Sequence, residues 1–419
     1  MYNMEKKITL KKITIGGIAA LLLLFVLFFV ILHITNRKPA AAFYGIPEQT
    51  AVAVAGILQT TQLRKTTKSE PYAITVLDDS VPLEAALKKS GKPDILFIYN
   101  GLNADAAALL AQKQKTGLPL SVLEGMVSSI RLSATATSDA VYTVPLLADN
   151  LEIDIKTEIL GTNEINAIDT FSALDAVGHA AKLRYTAPIA FAAGDDTELI
   201  NIIGALTESL SGADVWSSAV RKITESGTQN TASPQDFSEL LTPMLTAGGE
   251  FAAAAELLTR WKAEGILGAD TFQLKAEDLR YFISENLSAI GFMTLSQHRL
   301  FDRNVISQFS SAYYPSECAG SVRRFTAPLI LGIPLSKNKT VRKSLIALAQ
   351  NKQDLLSAAT GLSPVQAAAS VPDVQADDAR YWIAASGTPL PALSNAAFTA
   401  KAERTAFANA LRTALFRIN

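Results

Sequence analysis

YAITVLDDSVPLEAALKKSGKPDILFIYNGLNADAAALLAQKQK, residues 72–115, decides the fold class. Tyr72–Leu77 is a short apolar, β-branched run followed by the turn residues Asp78, Asp79 and Ser80, so it reads as a strand. Pro82 suits the first turn of the helix that follows, through LEAALKK, because a proline there gives up no intrahelical bond. Gly91-Lys92-Pro93-Asp94 breaks that helix, and Ile95–Tyr99 (ILFIY) is apolar without alternation, as a strand buried on both faces should be. Asn103 can cap the next helix, which Gly117 and Pro119 end. Strand, helix, strand, helix in this order implies an α/β fold with a parallel sheet and right-handed crossovers.

A second α/β block lies downstream. Thr170 can cap a helix with Phe171, Leu174 and Val177 on its apolar face. Pro188–Ala192 (PIAFA) reads as a strand, and Asp195 or Asp196 caps the helix TELINIIGALTESL. A further helix covers roughly Phe251–Glu264 and stops at Gly265. Thr326–Leu335 returns to strand, with helices near 341–358 and 395–415.

Upstream, residues 13–34 (ITIGGIAALLLLFVLFFVILHI) contain no Asp, Glu, Lys or Arg. At about 1.5 Å per helical residue this run covers the roughly 30 Å hydrocarbon core of a bilayer. Lys6, Lys7, Lys11 and Lys12 precede it, and only Arg37 and Lys38 follow. The positive-inside bias then puts residues 1–12 in the cytoplasm and the body outside the inner membrane, as a single-pass protein. The alternative is a cleaved signal peptide cut near Ala40–Ala42, but the apolar run is longer than a signal core and charged residues separate it from those alanines. Cys318 is the sole cysteine, so neither an internal disulfide nor a lipid-bearing cysteine just after the apolar run is available.

Removing residues 1–38, which carry six Lys/Arg and one Glu, from 38 basic and 39 acidic residues leaves a body with a net charge of about −6. No basic footprint exists, so no nucleic-acid partner is expected. The length remaining exceeds one ordinary core and points to two lobes. Catalytic motifs are missing: there is no Gly-x-Ser-x-Gly, Walker A or Gly-x-Gly-x-x-Gly. Asp78-Asp79, Asp195-Asp196 and Asp377-Asp378 read as caps and turns before they read as acid/base pairs. Of three histidines, His33 lies in the apolar run, and His179 and His298 stand alone. Metal centres need clustered ligands, so no metal and no other cofactor is expected, and no enzyme.

Five motifs in sequence carry a resemblance. They are Lys92-Pro93-Asp94-Ile95-Leu96-Phe97, Tyr142-Thr143-Val144-Pro145-Leu146, Asp169–Leu174 (DTFSAL), Phe282–Met293 (FISENLSAIGFM) and Thr360–Val365 (TGLSPV). Together they resemble extracellular solute-binding proteins of family 1, the type II periplasmic-binding class that feeds ABC importers. The likeness spans about residues 50–395. It departs from the family at Asp154-Ile155-Lys156, where an aromatic Tyr-Asn-Lys is usual, and at Asn286-Leu287, where Gly-Lys is usual. Aromatic residues are only 7%, few for a family that often stacks sugars on rings.

The resemblance implies a two-lobe type II periplasmic-binding-protein fold with hinge crossings, preceded by one transmembrane helix. It implies a tail over 1–12, an anchor over 13–34, a linker over 35–48 and a first lobe over 49–148. The second lobe then covers 149–290, and residues 291–419 return to the first lobe, with C-terminal helices partly on the second. The crossings are expected near Leu146–Ile153 and Ala289–Leu295, with a ligand between the lobes beyond the carboxyl ends of strands.

Within that frame Asp79, Tyr99 and Asn100 end first-lobe strands, and Asp149 and Asn150 occupy the hinge. Trp216, Phe292 and Tyr313 are candidate rings for the cleft, and Arg323 a candidate for an anionic ligand. Each has a plainer alternative: a cap for Asp79, a strand end for Tyr99 and Asn100, backbone satisfaction for Asp149 and Asn150, core for the rings, a solvated face for Arg323. The reading is an anchored solute receptor that captures a small polar solute, conceivably a saccharide, and presents it to ABC permease subunits, with residues 13–34 in the lipid bilayer. The alternative is a non-transporting sensor or interaction module of the envelope on the same fold.

Overall fold

The structure, a computed structural model, describes residues 38–61, 71–160, 168–227, 237–318 and 323–417. The apolar run at 13–34, its flanks and the tail lie outside the described residues. Among the described residues no helix is long and apolar enough to cross a membrane.

Among the described residues ten strands form two sheets: β1 (Ala40–Tyr44), β2 (Ala73–Leu77), β3 (Ile95–Tyr99), β4 (Val144–Ala148), β5 (Leu151–Lys156), β6 (Ile189–Phe191), β7 (Ile290–Thr294), β8 (Phe309–Ala312), β9 (Leu329–Pro334) and β10 (Ser363–Pro364). The first sheet has the order β10-β4-β9-β3-β1-β2, the second β6-β7-β5-β8. In the first, β2 and β3 flank β1 and run parallel to it. β9 is antiparallel to both β3 and β4, so the sheet is mixed rather than all parallel. The reason lies in the route: β9 enters from the other sheet and not through a crossover helix.

Residues 40–44, expected as linker, are β1 at the heart of this sheet. Their alanines hide the signal, but Phe43 is fully buried and stacks on Phe97 of β3 at 4.7 Å between ring centroids, a contact worth about 0.5–1.5 kcal/mol.

Three chain segments meet between the sheets. At Asp149-Asn150 the chain passes from β4 to β5, where a crossing was expected. Ala289–Leu295, expected as the second crossing, is mostly β7 of the second sheet. β7 runs up to the hinge, Leu295 enters the first core, and the chain then turns back to β8. Only beyond Ala312 does it leave for β9, so residues 291–312 belong with the second lobe. Backbone bonds tie the three segments: Asp149 N–H donates to Pro328 O at 2.8 Å and Leu295 N–H to Asn150 O at 3.0 Å.

Each sheet has its own core. The helix Phe171–Lys182 shows why the second forms. Thr170 accepts the Ala173 N–H at 3.2 Å as its cap, and Phe171, Leu174, Val177 and Ala181 fall on one buried stripe. The helix Asp196–Ser211 is buried continuously from Leu199 to Ser209, because C-terminal helices Leu393–Ala397 and Lys401–Arg417 cover the side the sheet does not. Phe237, Phe398 and Phe407 interlock there at 5.1–6.1 Å. The C-terminal segment also touches the first lobe: a Cβ on Gly101, at φ +131°, would stand 2.3 Å from the Asn395 carbonyl oxygen, so only glycine fits. Asn286 sits at φ +59°, left-handed backbone that Asn tolerates better than other side chains, which accounts for its standing where the resembling family has glycine.

Candidate ligand-binding cleft

Tyr44, Asp79 and Tyr99 stand at or just past the carboxyl ends of the parallel strands β1, β2 and β3, and all three line one cleft. Parallel strands present their open ends there, which is where α/β sheets receive ligands. A cavity of about 570 Å³ lies between the lobes, and a narrower one of about 140 Å³ continues it to the hinge. The two share Asp79 from the first lobe, Thr197 and Glu198 from the second, Ser296 at the hinge and Arg404 of the last helix. Gln49 and Thr50 open the first-lobe wall, and Lys275 and Lys401 stand at the mouth.

The floor is acidic. Asp149 is buried; Tyr99 Oη donates to its Oδ2 at 2.9 Å and Ser296 N–H to its Oδ1 at 2.8 Å. Burial raises its pKa, and these bonds pull it only part of the way back. Burial and the Asp149 carboxylate push the Tyr99 phenol well above its ordinary range. Glu198 is pushed up to about 8 by burial first, then by the charges of Asp149 and Asp195, against a hydrogen bond from Gln297. Glu198 therefore holds its proton to higher pH than an ordinary glutamate, beside Asp149. Higher up, Asp79 pairs with Arg404 at 3.1 Å, Asp196 with Arg412 at 2.8 Å, and Asp195 accepts the Ala276 N–H at 2.8 Å. Asp195 and Asp196 thus join the cleft wall to its surroundings; neither side chain caps its own helix in the expected way. Such a lining can exchange hydrogen bonds with a polar or polyhydroxylated molecule. Among the described lining residues Tyr44 and Tyr99 are the aromatic ones, and Tyr44 Oη is already committed to Val81 O at 2.7 Å and Thr399 O at 3.1 Å.

The structure places the other candidate residues behind or away from this cleft. Asn100 is buried, and its Oδ1 accepts the Leu329 N–H at 2.9 Å, pinning β3 to β9. Asn150 turns its amide to Leu151 O at 3.0 Å and serves the crossing backbone. Trp216 packs with Leu390 and Ala396 in a small apolar cluster. Phe292 is second-lobe core, with Trp261 at 5.9 Å and Tyr314 at 5.3 Å, because its position on β7 faces that core. Tyr313 meets Phe325 and Trp382 edge-on at 5.6 and 5.8 Å. Arg323 is consumed by Glu208 at 3.1 Å and Tyr314 O at 2.8 Å. His298 does not stand alone: strand pairing brings it against Glu152 and Asp154. The sequence reading missed Glu198, Lys275, Ser296 and Arg404. Glu198 follows the PIAFA strand and was open to the strand-end argument; Arg404 comes from a helix more than 300 residues from Asp79 and had no local signal.

No family model and no curated protein matches the chain. Solved structures do match. The bacterial solute receptor AcbH, described as having an exclusive preference for β-D-galactopyranose, matches with a TM-score of 0.61 at 11% identity, over 91% of this chain and 98% of its own. The chain has the fold of a bacterial solute receptor. Maltose-bound MalE3 of T. maritima matches with a TM-score of 0.56 at 13% identity, over 91% and 100%. A probable secreted solute-binding lipoprotein of Streptomyces coelicolor matches with a TM-score of 0.60 at 12% identity, over 90% and 97%.

Proposed function

We propose that the protein is the extracytoplasmic solute-binding component of an ABC importer, anchored by residues 13–34 and closing on a small polar solute. The observation that carries this reading is the cleft itself. Polar side chains from both lobes and from the hinge converge on one cavity, so a solute held there favours the closed arrangement of the lobes. Saccharides are the first class to test, since the galactopyranose and maltose receptors share the fold, and Asp149 and Glu198 offer acceptors and a donor for hydroxyls. The protein performs no chemistry on the solute. Burial raises the pKa of the Cys318 thiol, which makes it a poor nucleophile. Anchoring holds the receptor near its permease and raises its effective concentration there.

A second reading, a non-transporting envelope module, is favoured by two observations: among the described lining residues Tyr44 and Tyr99 are the rings, and Arg404 Nη2 is already paired with Asp79. A thermal-shift screen of the full-length chain against sugars, oligosaccharides, amino acids, peptides and polyols separates the two. A solute at about 100 times its dissociation constant adds roughly 2.7 kcal/mol of stability. A saturable rise with one solute class is expected. A cooperative melt that no solute moves contradicts the receptor reading and favours the module.

A further inference from the structure

Glu152 and Asp154 are two residues apart on β5, so their side chains leave the same face of the strand. Met293 and Gly291 of β7 lie opposite them, and Ser311 of β8 faces Asp154 from the other side. From the end of β7 the short helix Leu295–His298 folds back, with Thr294 and Gln297 capping each other, and delivers His298 onto this face. His298 Nδ1 lies 3.0 Å from Glu152 Oε1 and 3.0 Å from Asp154 Oδ2. All three side chains are sealed, at 0–1% exposure. Ser311 Oγ donates to Asp154 Oδ1 at 2.8 Å. Glu152 Oε1 has His298 as its ion-pair partner, while among the described residues Glu152 Oε2 and His298 Nε2 have no hydrogen-bond partner.

Two buried carboxylates side by side need positive charge or a proton beside them, and burial with the Asp154 charge pushes Glu152 up to about 7. One imidazolium offsets a single negative charge; a divalent cation with a neutral imidazole offsets both. The spacing also fits. His298 Nδ1 lies 3.0 Å from each carboxylate oxygen, which subtends roughly 90° at an ion with bonds of about 2.1 Å, the angle between adjacent corners of an octahedron and tighter than that of a tetrahedral zinc site. One imidazole nitrogen with two carboxylates suits Mn²⁺ or Zn²⁺ better than Ca²⁺, which takes oxygen ligands.

We propose that Glu152, Asp154 and His298 are ligands of one borderline divalent cation, Mn²⁺ or Zn²⁺, bound beside the hinge. The ion joins β5 to the segment after β7, two of the three segments that meet between the lobes. Ser311 orients Asp154 from the outer shell. Protons compete for the same site: burial alone would lower the His298 pKa, but Asp154 and Glu152 drive it up to about 10. Because the site is sealed, the ion enters during folding or local opening.

The test is to refold the full-length chain with Mn²⁺ or Zn²⁺, pass it over a chelating resin and count the retained metal by mass spectrometry. About one equivalent per chain is expected, with a melting temperature that drops when the chain is refolded in chelator. Glu152→Gln should retain less than a tenth of an equivalent, and Ser311→Ala should keep the site but weaken it by about 10–100-fold. Folded wild-type protein that retains less than a tenth of an equivalent of either ion overturns the proposal. So does a full equivalent in folded Glu152→Gln. If that variant does not fold, the wild-type count and the Ser311→Ala affinity decide.

Discussion

Asp149 and Glu152 are three residues apart on one crossing of the chain, yet they live in different chemistry. Asp149 sits on the last turn of backbone before β5, where its carboxylate meets Tyr99, Ser296 and the open floor of the cleft. Glu152 has entered the second sheet, where neighbouring strands and the 295–298 helix shut it in with Asp154 and His298. A carboxylate faces the cleft in one place and the protein's own interior in the other. What separates them is the hinge: Asp149 on the crossing faces the space between lobes, and Glu152, inside β5, faces a sealed layer.

The largest expected effect is on the sealed side. Asp154→Ala takes from His298 one of its two carboxylates and from Ser311 its acceptor, and should lower unfolding stability by about 3–5 kcal/mol in urea denaturation. A loss below about 1 kcal/mol would erase the contrast between the two sites. On the open side, Asp149→Asn keeps the shape and can still accept from Ser296, so stability should change by about 1 kcal/mol or less. Its solute affinity should fall by roughly 1–3 kcal/mol, read by titration calorimetry.

A pH series sharpens the comparison further. The native pKa of Glu198, about 8, lies above its unfolded value of 4.5, so the native state keeps a proton that the unfolded chain releases. The stability linked to that proton is complete below about pH 4.5 and is lost as pH rises toward 8. Glu198→Gln should flatten this slope in solute-free protein; an unchanged slope would show that Glu198 is ionised in the empty cleft. The smallest effect belongs to Arg404→Ala. Asp79 is more than a third exposed, so the pair should contribute about 0.2–1 kcal/mol, measured as a small fall in the denaturation midpoint.

The sequence made some of this legible for definite reasons. YAITVL, ILFIY and PIAFA are largely apolar over a strand's length and bounded by turn residues, so β2, β3 and β6 could be read directly, and with them the positions of Asp79 and Tyr99 at strand ends. The first crossing followed from where the Tyr142–Leu146 motif ends. AAAFY could not be read as a strand, because three alanines carry little β signal and the segment follows a long apolar run. The triad was hidden because it depends on register: Asp154 meets Gly291 and Ser311 across more than 130 residues of chain, and His298 arrives only when a four-residue helix folds back. Trp216, Phe292, Tyr313 and Arg323 have the composition of binding residues, but burial and pairing within the lobes decide their place.

Solute titration of wild type, Asp149→Asn and Ser311→Ala measures the central claim most directly, using the solute class that raises the melting temperature. The account predicts saturable one-to-one binding by wild type, at least about fivefold weaker binding by Asp149→Asn, and affinity within about twofold of wild type for Ser311→Ala. Equal losses in both variants, or binding that Asp149→Asn leaves intact, would contradict a solute site on the hinge floor.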